Sequence, residues 1–274
     1  MRRIARIALC SVVVALPACG GSEKPARVPS SAENSITVEL QEYSFAVAGQ
    51  ARAGRLTLNF QNRGNELHMG VVGRLDRGKT VQDLLTELRT APSGAAPAWF
   101  HDDPADGSIL SPGQGAGVTI DARQPGTYAL LCFVTAPTGK PHAFLGMAQS
   151  FTVAGAAAPK GPSISGRFVL GADALQVPTG LKEGSVTMAI TNNGTQPGNF
   201  DIVRFANGKT REDVNRWFGS GFKGPAPATF LGGIRGAAPG STTPLRVALQ
   251  RGTYTAVASF EGGNRSLTRE FVVS

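Results

Sequence analysis

The chain has 274 residues, enough for two domains of ordinary size, and it is rich in glycine (35) and proline (18). Val, Thr and Phe recur in short runs between these breakers, which predicts many short strands joined by turns and argues against long helices. The formal net charge is +8, but no Lys/Arg cluster or interleaved aromatic platform accompanies it, so the composition gives no support to a nucleic-acid binder.

The first residues are set apart. Arg2, Arg3 and Arg6 precede an apolar stretch, residues 7–16, too short to span a bilayer. This order predicts an export signal over residues 1–18. The segment Leu16-Pro-Ala-Cys19-Gly resembles a bacterial lipobox, although proline is unusual at its place. The resemblance implies that Cys19 becomes the lipidated first residue of a mature protein held on the bacterial membrane, facing the periplasm or the cell surface. Loss of the three arginines lowers the net charge from +8 to +5. Residues 19–35 are small, polar and Pro-containing, and read as a flexible tether. With Cys10 removed and Cys19 acylated, Cys132 is the only thiol left. A lone cysteine in an oxidising compartment is either buried and inert or held by a metal.

Residues 36–40 alternate as a strand, 43–47 continue the extended reading, and 49–54 mark a turn before a further strand at 56–60. A strand carrying His68 runs to about Leu75. Thr80, with Asp83 three residues on, opens a helix whose Val81, Leu84, Leu85 and Leu88 share one face. Residues 91–117 read as a long loop. In it Trp99 needs an apolar resting place, and His101 precedes two aspartates, an arrangement open either to an exposed loop or to a carboxylate-rich metal site. A short strand at 118–121 follows. The domain closes on residues 124–153: a strand ending at Cys132, a Pro/Gly-rich loop carrying His142 and Met147, and a last strand. Residues 154–163 form a low-complexity linker.

The chain then repeats itself. Gly78-Lys79-Thr80 falls on Gly208-Lys209-Thr210, and Asp213 stands where Asp83 does. Gln124-Pro-Gly-Thr-Tyr128 falls on Gln250-Arg-Gly-Thr-Tyr254. Two copies of one fold, residues 36–153 and 164–273, are expected, each with one short helix. Features shared by both copies, such as the capped helix and a tyrosine corner at Tyr128 and Tyr254, belong to the scaffold. The second copy has Gly198 in place of His68 and Ala258 in place of Cys132, and no equivalent of His142 or Met147. These four residues are therefore the candidates for chemistry.

A thiolate, two imidazoles and a thioether form the soft donor set that suits copper. The order of these residues, His68 after an Asn-containing turn and then Cys132, His142 and Met147 around the last loop, resembles the cupredoxins, the plastocyanin-like blue copper superfamily. So do Gly-Thr-Tyr before the cysteine and Gly-Met before the closing strand. The resemblance covers residues 36–153, and 164–273 as scaffold only. It implies an all-β chain of two tandem Greek-key sandwiches. It further implies copper bound by His68, Cys132 and His142 with Met147 as a weak axial ligand, and an electron-transfer partner docking near an exposed His142 loop. The nine residues between Cys132 and His142 depart from the shorter loop of that family.

Two functions stay open at this point. One is a lipid-anchored copper protein serving electron transfer or copper handling. The other is a metal-free tandem sandwich acting as an envelope binding or scaffolding module. A copper enzyme needs clusters of histidines and this chain has three, so no enzyme is expected. Residues 36–153 carry nine basic and ten acidic side chains against twelve and seven in 164–273. The second copy could dock an anionic partner or lipid surface, or simply carry a solubilising charge.

Overall fold

The structure is a computed structural model that describes residues 34–91, 95–102, 107–156, 161–220, 222–260 and 266–274. The leader, Cys19, most of the tether and part of the linker lie outside the described residues. The first half contains β1 (Ser35–Gln41), β2 (Ser44–Ala48), β3 (Ala51–Asn62), β4 (His68–Met69), β5 (Val71–Leu75), α1 (Val81–Thr90), β6 (Phe100–Asp102), β7 (Ile109–Leu110), β8 (Gly115–Ala122), β9 (Gly126–Leu131) and β10 (Ala148–Ala156). The second half contains β11 (Gly166–Leu170), β12 (Leu175–Gln176), β13 (Gly184–Asn192), β14 (Gly198–Phe205), α2 (Arg211–Gly219), β15 (Ala228–Ala237), β16 (Thr242–Leu249), β17 (Gly252–Phe260) and β18 (Ser266–Val273).

The fold is all-β with two short helices. In the first half β1 runs parallel to β3 and antiparallel to β2, and β3 pairs with β8. The opposing layer is β10-β9-β5-β6, with the start of β3 crossing over to lie parallel to β10. The second half repeats this order with β12-β11-β13-β16 facing β15-β14-β17-β18. Alternation explains the faces: Ile36, Val38 and Leu40 of β1 are buried and the residues between them are not. Strand β9 is buried on both sides. Tyr128, Leu130 and Cys132 enter the main core, whereas Ala129 and Leu131 pack under α1 with Leu84, Leu85 and Ala143.

Both helices begin on the expected capping box, with the Thr80 and Thr210 hydroxyls accepting from the Asp83 and Asp213 amides and the carboxylates accepting in return. Both tyrosines donate to the carbonyl four residues earlier, Tyr128 to Gln124 and Tyr254 to Gln250, each at 3.0 Å. The buried asparagines match as well. Asn62 Nδ2 donates to the carbonyls of Glu66 (2.8 Å) and Leu110 (2.9 Å) while its Oδ1 accepts from Gly64 N. Asn192 does the same toward Gln196, Ala237 and Gly194.

Several sequence expectations need correction. The stretch 91–117 is not all loop: β6 and β7 lie in it, and β8 starts three residues before Val118, because each of these short segments completes an existing ladder. Trp99 is half-buried against α1, where its Nε1 donates to Glu87 and Lys79 lies over its ring. Strand β10 extends three residues into the stretch read as linker, since it keeps pairing with β3 after it has left β9. The halves are also joined more closely than two beads on a string. Strands β8 and β16 pair antiparallel at Ala116–Val247, Gly117–Arg246 and Val118–Leu245, so one sheet runs through both halves.

Candidate metal centre

The site is built at the end of the first sandwich. Asn62 bridges the turn before His68 to Leu110, and Leu110 pairs with His68 in the β4–β7 ladder. The turn is tight enough that a Cβ on Gly64 would lie 2.4 Å from Glu42 Oε1 and 2.8 Å from His68 Nε2. Cys132 follows β9 directly, and its N–H donates to the Met147 carbonyl. The nine-residue insert folds out and returns: Ala136 N donates to Lys140 O, Thr135 bridges Pro141, and His142 N donates to Val134 O. A 3-10 turn, His142–Leu145, then carries the chain through Gly146, at φ +120°, to Met147. The insert is accommodated as a small closed excursion, so it need not spread the donors apart.

His68, Cys132 and His142 are each fully buried, and one donor atom from each lies within 4.8 Å of the others. His68 Nδ1 is 3.2 Å from His142 Nδ1, and Cys132 Sγ is 3.5 Å from His142 Nδ1. Met69 N donates to the sulfur at 3.4 Å. Met147 is fully buried beside them, its N–H donating to the His142 carbonyl and its carbonyl accepting from Cys132 N. His101 takes no part: it is exposed and lies 2.9 Å from Asp76. The His142 side chain itself is buried, whereas the loop that carries it is exposed. The imidazole is sealed by Tyr43, whose ring centroid is 4.8 Å away, and by Glu66, while the loop around it is exposed at Phe133, at residues 137–140 and at Gly146.

Two acidic residues complete the site. Glu42 Oε1 lies 3.4 Å from His68 Nε2, and Glu66 Oε2 lies 2.9 Å from His142 Nε2. Glu42 accepts from the amides of Asn65 and Glu66, and Glu66 accepts from the Tyr43 hydroxyl. Among the described residues neither buried Nε2 has an aligned hydrogen-bond partner in the protein, although each faces a carboxylate. Burial lowers the His68 pKa to about 4, helped by the neighbouring His142 and opposed by Glu42. Burial also lowers that of His142 against the pull of Glu66. The Cys132 thiol is pushed up to about 12 by burial, against the Met69 N–H. Burial raises the Glu42 carboxyl, but the two amides and His68 outweigh it and leave it below its ordinary value.

The metal-free arrangement is chemically awkward. Two Nδ1 atoms at 3.2 Å can share one proton. The ring that supplies it then turns an Nε2 lone pair toward a carboxylate; with no shared proton, two Nδ1 lone pairs face each other. A cation between the Nδ1 atoms and the sulfur removes both conflicts, because each Nε2 can then carry its proton toward its carboxylate. The donor types fit copper, with Met147 available as a thioether.

Sequence reasoning missed Glu42 and Glu66. The repeat held the signal: counting from Asn62 to Asn192, Glu66 falls on Gln196 and Glu42 on Ala172, in the same register that lays His68 on Gly198.

No protein-family model matches the chain, and no curated protein does. Among solved structures the chain is similar to a reduced auracyanin from the photosynthetic bacterium Roseiflexus castenholzii, at 25% identity over 45% of this chain and 99% of that one, TM-score 0.31. It is similar to auracyanin A, a blue copper protein from Chloroflexus aurantiacus, at 20% identity over 44% and 98%, TM-score 0.27. A copper-containing nitrite reductase from Thermus scotoductus matches at 9% identity over 88% and 61%, TM-score 0.24. Such TM-scores carry no inference by themselves. The fold itself is all-β, with β1 parallel to β3 and one sheet running through both halves.

Proposed function

We propose that this chain is an exported, lipid-anchored protein that binds one copper ion at His68, Cys132 and His142, with Met147 as a weak axial ligand. The ion serves one-electron transfer or copper handling. The observation that carries the reading is the convergence of two Nδ1 atoms and one sulfur within 4.8 Å, fully buried, with a carboxylate facing the far nitrogen of each imidazole. The ion would supply the redox chemistry. The protein's part is to hold the donors, fix both imidazoles by their outer nitrogens and exclude water. We infer no catalysis. Two of the three histidines are committed to this centre and the third pairs with Asp76, which leaves none for a second, catalytic copper.

The same reading takes residues 36–153 and 164–273 as two copies of one fold behind a signal (1–18), a tether (19–35) with lipidated Cys19, and a linker (154–163). The matched capping boxes, tyrosine corners and buried asparagines support this. Periplasmic or cell-surface placement follows from the leader. The basic excess of the second copy gives it a surface suited to an anionic partner or lipid headgroups.

The competing reading is a metal-free envelope binding or scaffolding module, favoured by the full burial of Cys132 in the main apolar core. Copper titration separates the two. Stoichiometric Cu(II) uptake with an intense thiolate-to-copper visible band, lost in Cys132→Ala, is expected. Absence of uptake by the wild-type protein would sink the copper reading.

A further inference from the structure

The two glutamates offer more than a place for the imidazole protons. With the Cys132 thiolate they put three formal negative charges around the centre, and both imidazoles are neutral when they ligate. No Lys or Arg among the described residues lies in ion-pair reach of Glu42 or Glu66, whose side chains are 27% and 30% exposed. They are thus screened less than surface carboxylates and lack a resident counter-charge. Elsewhere the chain does supply one: Asp201, more deeply buried, is paired with Arg235. The ligand-free half keeps the backbone of the same turn, including the asparagine bracket, but carries Gln196 and Ala172 where the charges would be. The carboxylates accompany the donor set and are not needed by the turn.

We propose that Glu42 and Glu66 set the oxidation state in which the centre holds its ion, favouring Cu(II) over Cu(I). The inference rests on the copper reading above. Against Cu(II) the three negative charges leave a formal balance of −1. One electron from an external reductant gives Cu(I) and a balance of −2, and the carboxylates, 3.4 and 2.9 Å from the outer nitrogens of the two imidazoles, oppose that step through space. They are positioning residues that act through His68 and His142, and they make the reduced centre a ready electron donor.

The test uses the full-length copper-loaded protein at a poised electrode with mediators, following the thiolate–copper band. Glu42→Gln and Glu66→Gln keep a hydrogen-bond acceptor and remove the charge. Each is expected to shift the Cu(II)/Cu(I) preference about tenfold toward Cu(I), equivalent to about 59 mV upward for one electron, and the double variant further. Glu42→Asp and Glu66→Asp keep the charge and should stay near the wild-type potential. Chelator competition run separately for Cu(II) and Cu(I) gives the same ratio without electrochemistry, and the loss in the Gln variants should fall on Cu(II). An unchanged potential in the double Gln variant, an equal loss of both ions, or parallel shifts in the Gln and Asp variants would overturn the proposal while leaving copper binding standing. A wild-type protein that takes up no copper fails earlier, at the reading of the centre itself.

Discussion

The two halves carry the same turn twice, and only one of them hangs the candidate donor set on it. Asn62 and Asn192 make the same three hydrogen bonds, and the strands that these bonds join are the same in order. On this shared bracket the first half hangs Glu66 and His68, and the second hangs Gln196 and Gly198. Where Cys132 stands at the end of β9, Ala258 is paired with Phe200 within a continuous ladder. The scaffold therefore does not require the ligands, and the ligands use a geometry that the scaffold supplies anyway. A buried histidine pair beside a buried thiol lowers stability without a cation, so the metal-free first half should be the weaker of the two.

The comparison can be broken most forcefully at the asparagines. Asn62→Ala and Asn192→Ala each remove a side chain that satisfies three backbone groups, and each should cost about 2–4 kcal/mol of stability in a denaturant titration. Only Asn62→Ala should also weaken copper binding, by about 10–100-fold in chelator competition. Equal losses of copper affinity in both variants would mean that the bracket does not act through His68.

Acid should distinguish the halves next, because all three histidines lie in the first. The folded-state pKa of His68 is lowered from 6.5 to about 4, so the unfolded chain binds more protons between those values. Stability is then lost as pH falls through the unfolded value and keeps falling toward the folded one. The metal-free protein should melt about 3 °C lower at pH 5 than at pH 7, and His68→Gln should flatten that slope. Copper shifts the balance the other way. Because the Cys132 thiol sits at about 12 without metal, copper uptake at neutral pH should release close to one proton, measurable in weak buffer.

A smaller effect tests how the halves support each other. Strand β7, which braces His68 on one edge, is held on the other side by the second half. Ser111 N donates to the Phe230 carbonyl, and the Ser111 and Ser108 hydroxyls accept from Phe230 N and Gly233 N. Ser108→Ala with Ser111→Ala should cost about 1–3 kcal/mol and broaden the visible band of the copper form. A sharp, unshifted band would show that the second half is not a brace for the centre. Smallest of all, Thr80→Ala and Thr210→Ala should each cost about 1 kcal/mol and leave copper affinity alone, since the two capping boxes are the same device in both halves.

Much of this was legible in the chain because it is written in local chemistry. Alternation in residues 36–40, the Thr80–Asp83 box, the Gly-Thr-Tyr corners and the internal repeat are short-range patterns fixed by strand and helix periods. The repeat also separated the candidate ligands from the scaffold without any structure. What lay beyond it depends on contacts between distant parts of the chain. Glu42 reaches His68 from the turn after β1, 26 residues away, and no spacing rule announces such a pair. The burial of His142 was equally hidden, because it depends on Tyr43 packing across the mouth of the site. The joining of β8 to β16 is likewise an edge-to-edge choice, made only once both sandwiches exist. Donor identity and order came from the sequence. Their convergence, their carboxylate partners and their enclosure were decided by the tertiary fold, since those depend on which faces and edges meet in space.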